Sequence, residues 1–148
     1  MATEWPRNAH GVAILHGELL ATAPGMPEAY RQTLGKLGED LACAELERRG
    51  YALLARRYRT RAGEIDIVAR DGETLVFVEV KARADEACGH PAEAVTPQKQ
   101  RRLARMALDF LARLPAAPGP CRFDVVAVLM STSPPTITVY QNAFVVDG

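Results

Sequence analysis

The chain has 148 residues, 48% of them apolar, with 18 basic and 18 acidic side chains. That length and apolar content suit a single domain with a sizeable core, and the zero net charge excludes a partner drawn in by a global field, so a polyanion would have to meet a local basic patch. The three cysteines, Cys43, Cys88 and Cys121, form no CxxC pair, which argues against a disulfide framework or a zinc site and for reduced thiols in a cytoplasmic protein.

No segment is long and apolar enough to span a membrane. Residues 11–23 are mildly apolar but contain His16 and Glu18, and Glu4 offsets Arg7, so they do not read as a signal peptide. Residues 1–30 are expected to be a flexible extension punctuated by Pro6, Pro24 and Pro27. Trp5, His10 and His16 read as tail residues rather than a site. The single domain is expected over 31–148.

A helix is predicted from Thr33, as N-cap, to Arg49, with Gly50 at C′. Glu39, Ala42, Cys43 and Leu46 follow i, i+3, i+4, i+7 and share a face, and Leu34, Leu37 and Leu41 widen the apolar arc. Glu39 is either turned inward among small apolar residues or half solvated and favoured by the helix dipole; its spacing does not choose. A strand over 51–58 leads into Arg56, Arg57, Arg59 and Arg61, either a solvated edge or a rim that contacts phosphate.

Residues 63–81 predict two strands joined at Asp71-Gly72, a dipeptide that favours a hairpin turn. With a period of two, Glu64 and Asp66 share one face, and Phe77, Glu79 and Lys81 share another. Strands otherwise made of Val, Ile and Phe hold charge only if it is paired or binds an ion. Three carboxylates and an ammonium on neighbouring strands suit a hard cation with a lysine beside it.

Residues 82–94 read as an irregular loop containing His90, to which no chemistry is assigned. Thr96-Pro97 opens a second helix as N-cap and N1. Its apolar stripe is Leu103, Met106, Ala107, Phe110, Leu111 and Leu114, with Arg101, Arg102 and Arg105 on or near the polar face. Lys99 falls in line with the stripe, so it either snorkels past the helix end or points at something anionic. A strand over 122–130 and a last strand over 136–140 complete the order α-β-β-β-α-β-β. Asp124, an acid in an apolar strand, is expected to pair with an arginine at the strand start.

Gly63-Glu64-Ile65-Asp66, Phe77-Val78-Glu79-Val80-Lys81 and Arg122-Phe123-Asp124-Val125-Val126, with Gly38-Glu39 upstream and Asn142-Ala143-Phe144 at the end, resemble the YraN-like family of uncharacterised bacterial proteins over roughly 33–144. That family is in turn similar to the PD-(D/E)xK nuclease superfamily and to archaeal Holliday-junction resolvases. The resemblance implies an α/β, restriction-endonuclease-like fold, a mixed central sheet flanked by helices. It implies a Mg²⁺- or Mn²⁺-dependent endonuclease hydrolysing DNA phosphodiester bonds, with branched DNA as one substrate class. Asp66, Glu79 and Glu39 would be the metal ligands, Lys81 the motif lysine, and the Val80 carbonyl a further ligand. Ile65 stands where the superfamily name has proline. The symmetric homodimer common among resolvase-like proteins is implied in the same way.

Lys99, Arg102, Arg57, Arg59 and Arg61 are the expected contacts to DNA or another nucleic acid. Two rival readings stand beside this one: a nucleic-acid-binding adaptor of the same fold without turnover, and a salt-bridged cluster of Asp66, Glu79 and Lys81 at a sheet edge.

Overall fold

Five strands lie side by side in the order in which the chain makes them, β1-β2-β3-β4-β5. The computed structural model describes residues 28–83 and 95–145. Helix α1 is Glu28–Arg48, followed by β1 (Ala52–Thr60), β2 (Gly63–Asp71) and β3 (Thr74–Arg83). Helix α2 (Pro97–Ala112) then crosses over to β4 (Cys121–Leu129), and β5 (Thr136–Phe144) ends the sheet. All neighbours are antiparallel except β3 and β4, which are parallel and require that crossover. The predicted α/β class, element order and mixed, helix-flanked sheet are therefore observed. The expected extension and His90 lie outside the described residues, apart from the start of α1. Among the described residues no helix is long and apolar enough to cross a membrane.

Each helix covers one face. Leu34, Ala42, Cys43 and Leu46 of α1 pack on Ile67, Ala69, Val76, Val78, Val126 and Val128. Leu103, Met106 and Ala107 of α2 pack on Ile65, Val68, Leu75, Phe77 and Val125 on the other. Phe110 of α2 meets Tyr58 and Phe77 edge-on, with centroids 5.1 and 6.0 Å apart.

The helix ends follow local chemistry. Gly50 adopts φ +94°, and the Tyr51 and Gly50 amides donate back to the Leu46 and Glu47 carbonyls, a Schellman closure. Thr96 accepts the Lys99 amide as the N-cap of α2, with proline following. The start of α1 differs from expectation. Thr33 is inside the helix, its hydroxyl donating to the Ala29 carbonyl at 2.8 Å, and the helix begins at Glu28, where Arg31 pairs with the Glu28 carboxylate. Gly38 lets α1 approach the sheet, since a Cβ there would stand 2.7 Å from the Ala82 Cβ. That contact places the next residue, Glu39, over the C-terminal half of β3.

Candidate active site

The sheet forks where the predicted site residues lie. The β2–β3 ladder runs from Asp71↔Thr74 to Ile67↔Val78 and goes no further. Residues 63–65 remain paired with β1, and 79–83 with β4. Beyond the last rung the Val80 amide has lost a strand partner, and it donates instead to Asp66 Oδ2 at 2.8 Å. Asp66 thus sits at the mouth of the fork, one oxygen committed to the backbone.

Alternation also breaks here. Ile65 packs on the α2 side and Ile67 on the α1 side, so the shared face expected of Glu64 and Asp66 does not persist along β2. On the facing strand, Arg57 has φ +52°. The kink aims two successive arginines at one acid: Arg57 Nε donates to Glu39 Oε1 at 2.9 Å and Arg56 Nη2 at 3.1 Å. Arg56 also reaches Asp40 at 2.7 Å.

Glu39 is 7% exposed, which settles its orientation as inward, but its charge is answered by arginine. Glu79, also buried, is answered by two lysines, with Lys99 Nζ 2.9 Å and Lys81 Nζ 3.3 Å from the same Oε2. The lysine that the sequence places in the apolar line of α2 therefore does point at an anion. Asp66 has the least compensation. Burial, followed by the nearby Glu79 charge, raises its carboxyl from the usual aspartate range to about 7, against the opposing Val80 hydrogen bond. Burial, followed by Lys99, holds Lys81 below the ordinary lysine value.

Asp66, Glu79, Lys81 and Lys99 are thus brought together at the fork, with Glu39 near enough for its charge to act on Asp66. Among the described residues no three acids form a preassembled metal-ligand group; the Glu39 carboxylate is held by Arg56 and Arg57. Of the expected nucleic-acid contacts, Lys99 and Arg57 are engaged with Glu79 and Glu39, and Arg59 pairs with Glu64 at 3.0 Å on the exposed edge strand. Arg61 and Arg102 are exposed.

Asp124, fully buried, plays a structural part. It accepts from Arg122 Nε at 2.9 Å and Nη2 at 3.1 Å, from Tyr51 Oη at 3.2 Å and from the Asn142 amide at 2.9 Å. Arg122 also bonds Asp71, so the cluster ties the β2–β3 turn to β4 and β5. The arginine partner was legible from the strand start; Tyr51 and Asn142, distant in sequence, were not. The sequence reading also missed the arginine clamp on Glu39, for which the only available signal was an arginine pair in β1.

Comparison with known proteins extends these observations. Residues 38–128 match the model of the uncharacterised protein family UPF0102. The UPF0102 protein of Geotalea uraniireducens is 47% identical over 78% of this chain and 92% of its own length. That of Symbiobacterium thermophilum is 56% identical over 64% of this chain and 80% of its own, and that of Geobacter sulfurreducens 49% over 78% and 91%. A family match spanning Glu39, the fork and Asp124, with relatives covered over 80–92% of their own length, establishes that this chain belongs to the uncharacterised protein family UPF0102.

Proposed function

We propose that the fork is the active site of a divalent-metal-dependent nuclease acting on DNA. The observation that carries this reading is the under-compensated Asp66 beside Glu79 and two lysines, at the point where two strands separate. A carboxyl raised by burial and a like charge gains from a bound cation. Asp66 and Glu79 would hold the ion, with the Val80 carbonyl nearby. One or two carboxylates with water completing the shell is the arrangement Mg²⁺ favours.

A bound ion would polarise a phosphate and lower the pKa of its water. The chain's own residues would do the rest. Lys81, its ammonium weakened by burial, would orient the attacking water or take its proton. Lys99 on α2 would stabilise charge developing on the phosphate. The arginines would restrain Glu39, which reaches an ion directly or through water once they part from it.

The test is calorimetric titration of Mn²⁺ into the wild type and Asp66→Ala/Glu79→Ala, paired with cleavage of labelled duplex and four-way-junction DNA. Binding is expected to vanish in the double variant, and Lys81→Ala to slow cleavage by about 10²–10⁴-fold. Full cleavage by Lys81→Ala, or unchanged Mn²⁺ binding by the double variant, refutes the assignment.

A second reading is favoured by one observation, the two lysines that already neutralise Glu79. In that reading the site is a nucleic-acid-binding surface without turnover. It predicts salt-dependent DNA binding that survives Asp66→Asn, with no product under any metal.

A further inference from the structure

A second cluster of cations lies outside the fork. The β1–β2 turn and α2 enclose a pocket of about 310 Å³, lined by Thr60, Arg61, Ala62, Arg105, Asp109 and Arg113. Its size is at the low end of small-ligand clefts, about 300–1,000 Å³, and three of its six lining residues are arginines. The single acid is already engaged: Asp109 Oδ2 accepts from Tyr58 Oη at 2.5 Å and from Arg113 Nε at 3.3 Å. Arg61 and Arg105 show no carboxylate partner among the described residues.

The turn that presents Arg61 is held in shape, because Thr60 Oγ1 accepts the Ala62 amide at 3.0 Å and donates to the Gly63 carbonyl at 3.4 Å. Tyr58–Asp109 fastens the turn's strand to α2. The guanidinium groups thus converge from a braced turn and a helix.

We propose that this pocket is a phosphate-binding site for the backbone of a nucleic-acid strand, formed by Arg61 and Arg105 with Arg113 at its rim. Guanidinium forks match phosphate oxygens in pairs, and two uncommitted guanidinium groups facing one small cleft suit a phosphodiester better than a neutral ligand. Placement favours a strand over a free anion. Arg105 lies six residues beyond Lys99 on the same helix, roughly 9 Å along its axis and about 120° around it. A strand engaged by Lys99 at the fork would run on around α2 toward the pocket, whereas a free anion would need only one of the two places. The inference rests on the nuclease-like reading of the fork and adds to it a second point of attachment that fixes the strand's direction.

The experiment measures binding of a fluorescein-labelled oligonucleotide, single-stranded and duplex, from 50 to 200 mM salt, by full-length wild type, Arg61→Ala/Arg105→Ala and Arg61→Lys/Arg105→Lys. Sodium pyrophosphate is titrated in parallel and followed by the arginine Nε–H resonances. The Ala variant is expected to bind about tenfold or more weakly, with a salt slope shallower by between 1 and 2. The Lys variant is expected to keep the slope and lose part of the affinity. Arg61 and Arg105 resonances should move with pyrophosphate while the exposed Arg70 does not. Equal affinity and slope in the Ala variant, with wild type binding normally, overturns the pocket and leaves the fork reading standing. Pyrophosphate shifts at Arg61 and Arg105 alongside unchanged oligonucleotide affinity in the variant assign the pocket to a free anion and overturn the strand proposal. Absence of any oligonucleotide binding by wild type overturns both readings. Both arginines are exposed, so the variants are expected to fold, which thermal melts check.

Discussion

Replacing Asp66 by Asn isolates the electrostatic strain at the fork. Asparagine keeps an oxygen that can accept the Val80 amide and removes the charge. In the folded protein the Asp66 carboxyl titrates near 7, raised first by burial and then by Glu79, against about 3.9 in an unfolded chain. Between those values the folded state holds a proton that the unfolded state has lost, so wild-type stability falls as pH rises through about 4 to 7 and then levels off. Three pH units at about 1.4 kcal/mol each set a ceiling of roughly 4 kcal/mol. Relaxation around the charged form reduces the cost, so about 2–4 kcal/mol is expected. In a domain of this size that is on the order of 5–12 °C in Tm.

The assay is urea denaturation followed by circular dichroism in EDTA at half-unit steps from pH 4.5 to 8.5. The advantage of Asp66→Asn over wild type should be near zero at the acid end and reach its plateau above pH 7. A constant difference across the range would mean that Asp66 titrates alike in the folded and unfolded chain, so that burial and Glu79 do not raise it. Adding Mg²⁺ or Mn²⁺ at pH 8 should then stabilise wild type alone, by about 2.7 kcal/mol at a hundred times Kd.

Other substitutions test the frame around the fork. Asp124→Ala should cost about 3–5 kcal/mol by urea denaturation, because it strips a half-buried guanidinium of its main partner. Gly38→Ala should destabilise by about 1–3 kcal/mol, since the new methyl meets the Ala82 Cβ; it should also shift the Glu39 backbone resonances, as α1 must move off β3. Thr96→Ala should cost about 1 kcal/mol in thermal melts through loss of the α2 cap.

What the sequence revealed, and what it hid, separates by range. The Asp71-Gly72 hairpin, the Gly50 stop and the Thr96-Pro97 start are local, and each is set by a few residues whose backbone preferences leave little choice. Lys99 was legible as a choice between snorkelling past the helix end and pointing at an anion, and Glu79 decides it. The start of α1 was not legible, because a hydroxyl that can cap a helix can also bond back to the preceding turn, as Thr33 does. Nor was the fork, which follows from β2 staying with β1 while β3 follows β4 through a parallel pairing made across the α2 crossover. The left-handed turn at Arg57, a residue with no special preference for that conformation, carries no sequence mark.

The placement of charge decides how a chain with no net charge can address a polyanion. At the fork, Asp66, Glu79, Glu39 and Asp40 face Lys81, Lys99, Arg56 and Arg57, four acids against four bases, so the site is close to neutral before any ion binds. The excess lies beside it. Beyond Lys99, helix α2 carries Arg101, Arg102 and Arg105 against Asp109 alone, and Arg61 and Arg113 stand with Arg105 at one pocket. At 0.1 M salt, exposed charges more than about 10 Å apart are largely screened from one another, and buried pairs much less. Attraction of a strand, and its sensitivity to salt, should therefore reside in the exposed arginines of α2 and the β1–β2 turn. The buried groups of the fork should govern what happens to a phosphate once it arrives. Variants of the first set should change the salt dependence of binding and leave the pH dependence of stability alone, and Asp66→Asn should do the reverse. If Asp66→Asn flattened the salt slope, or Arg61→Ala/Arg105→Ala shifted the pH profile, the two charge systems would be one, and the division of labour drawn here would be wrong.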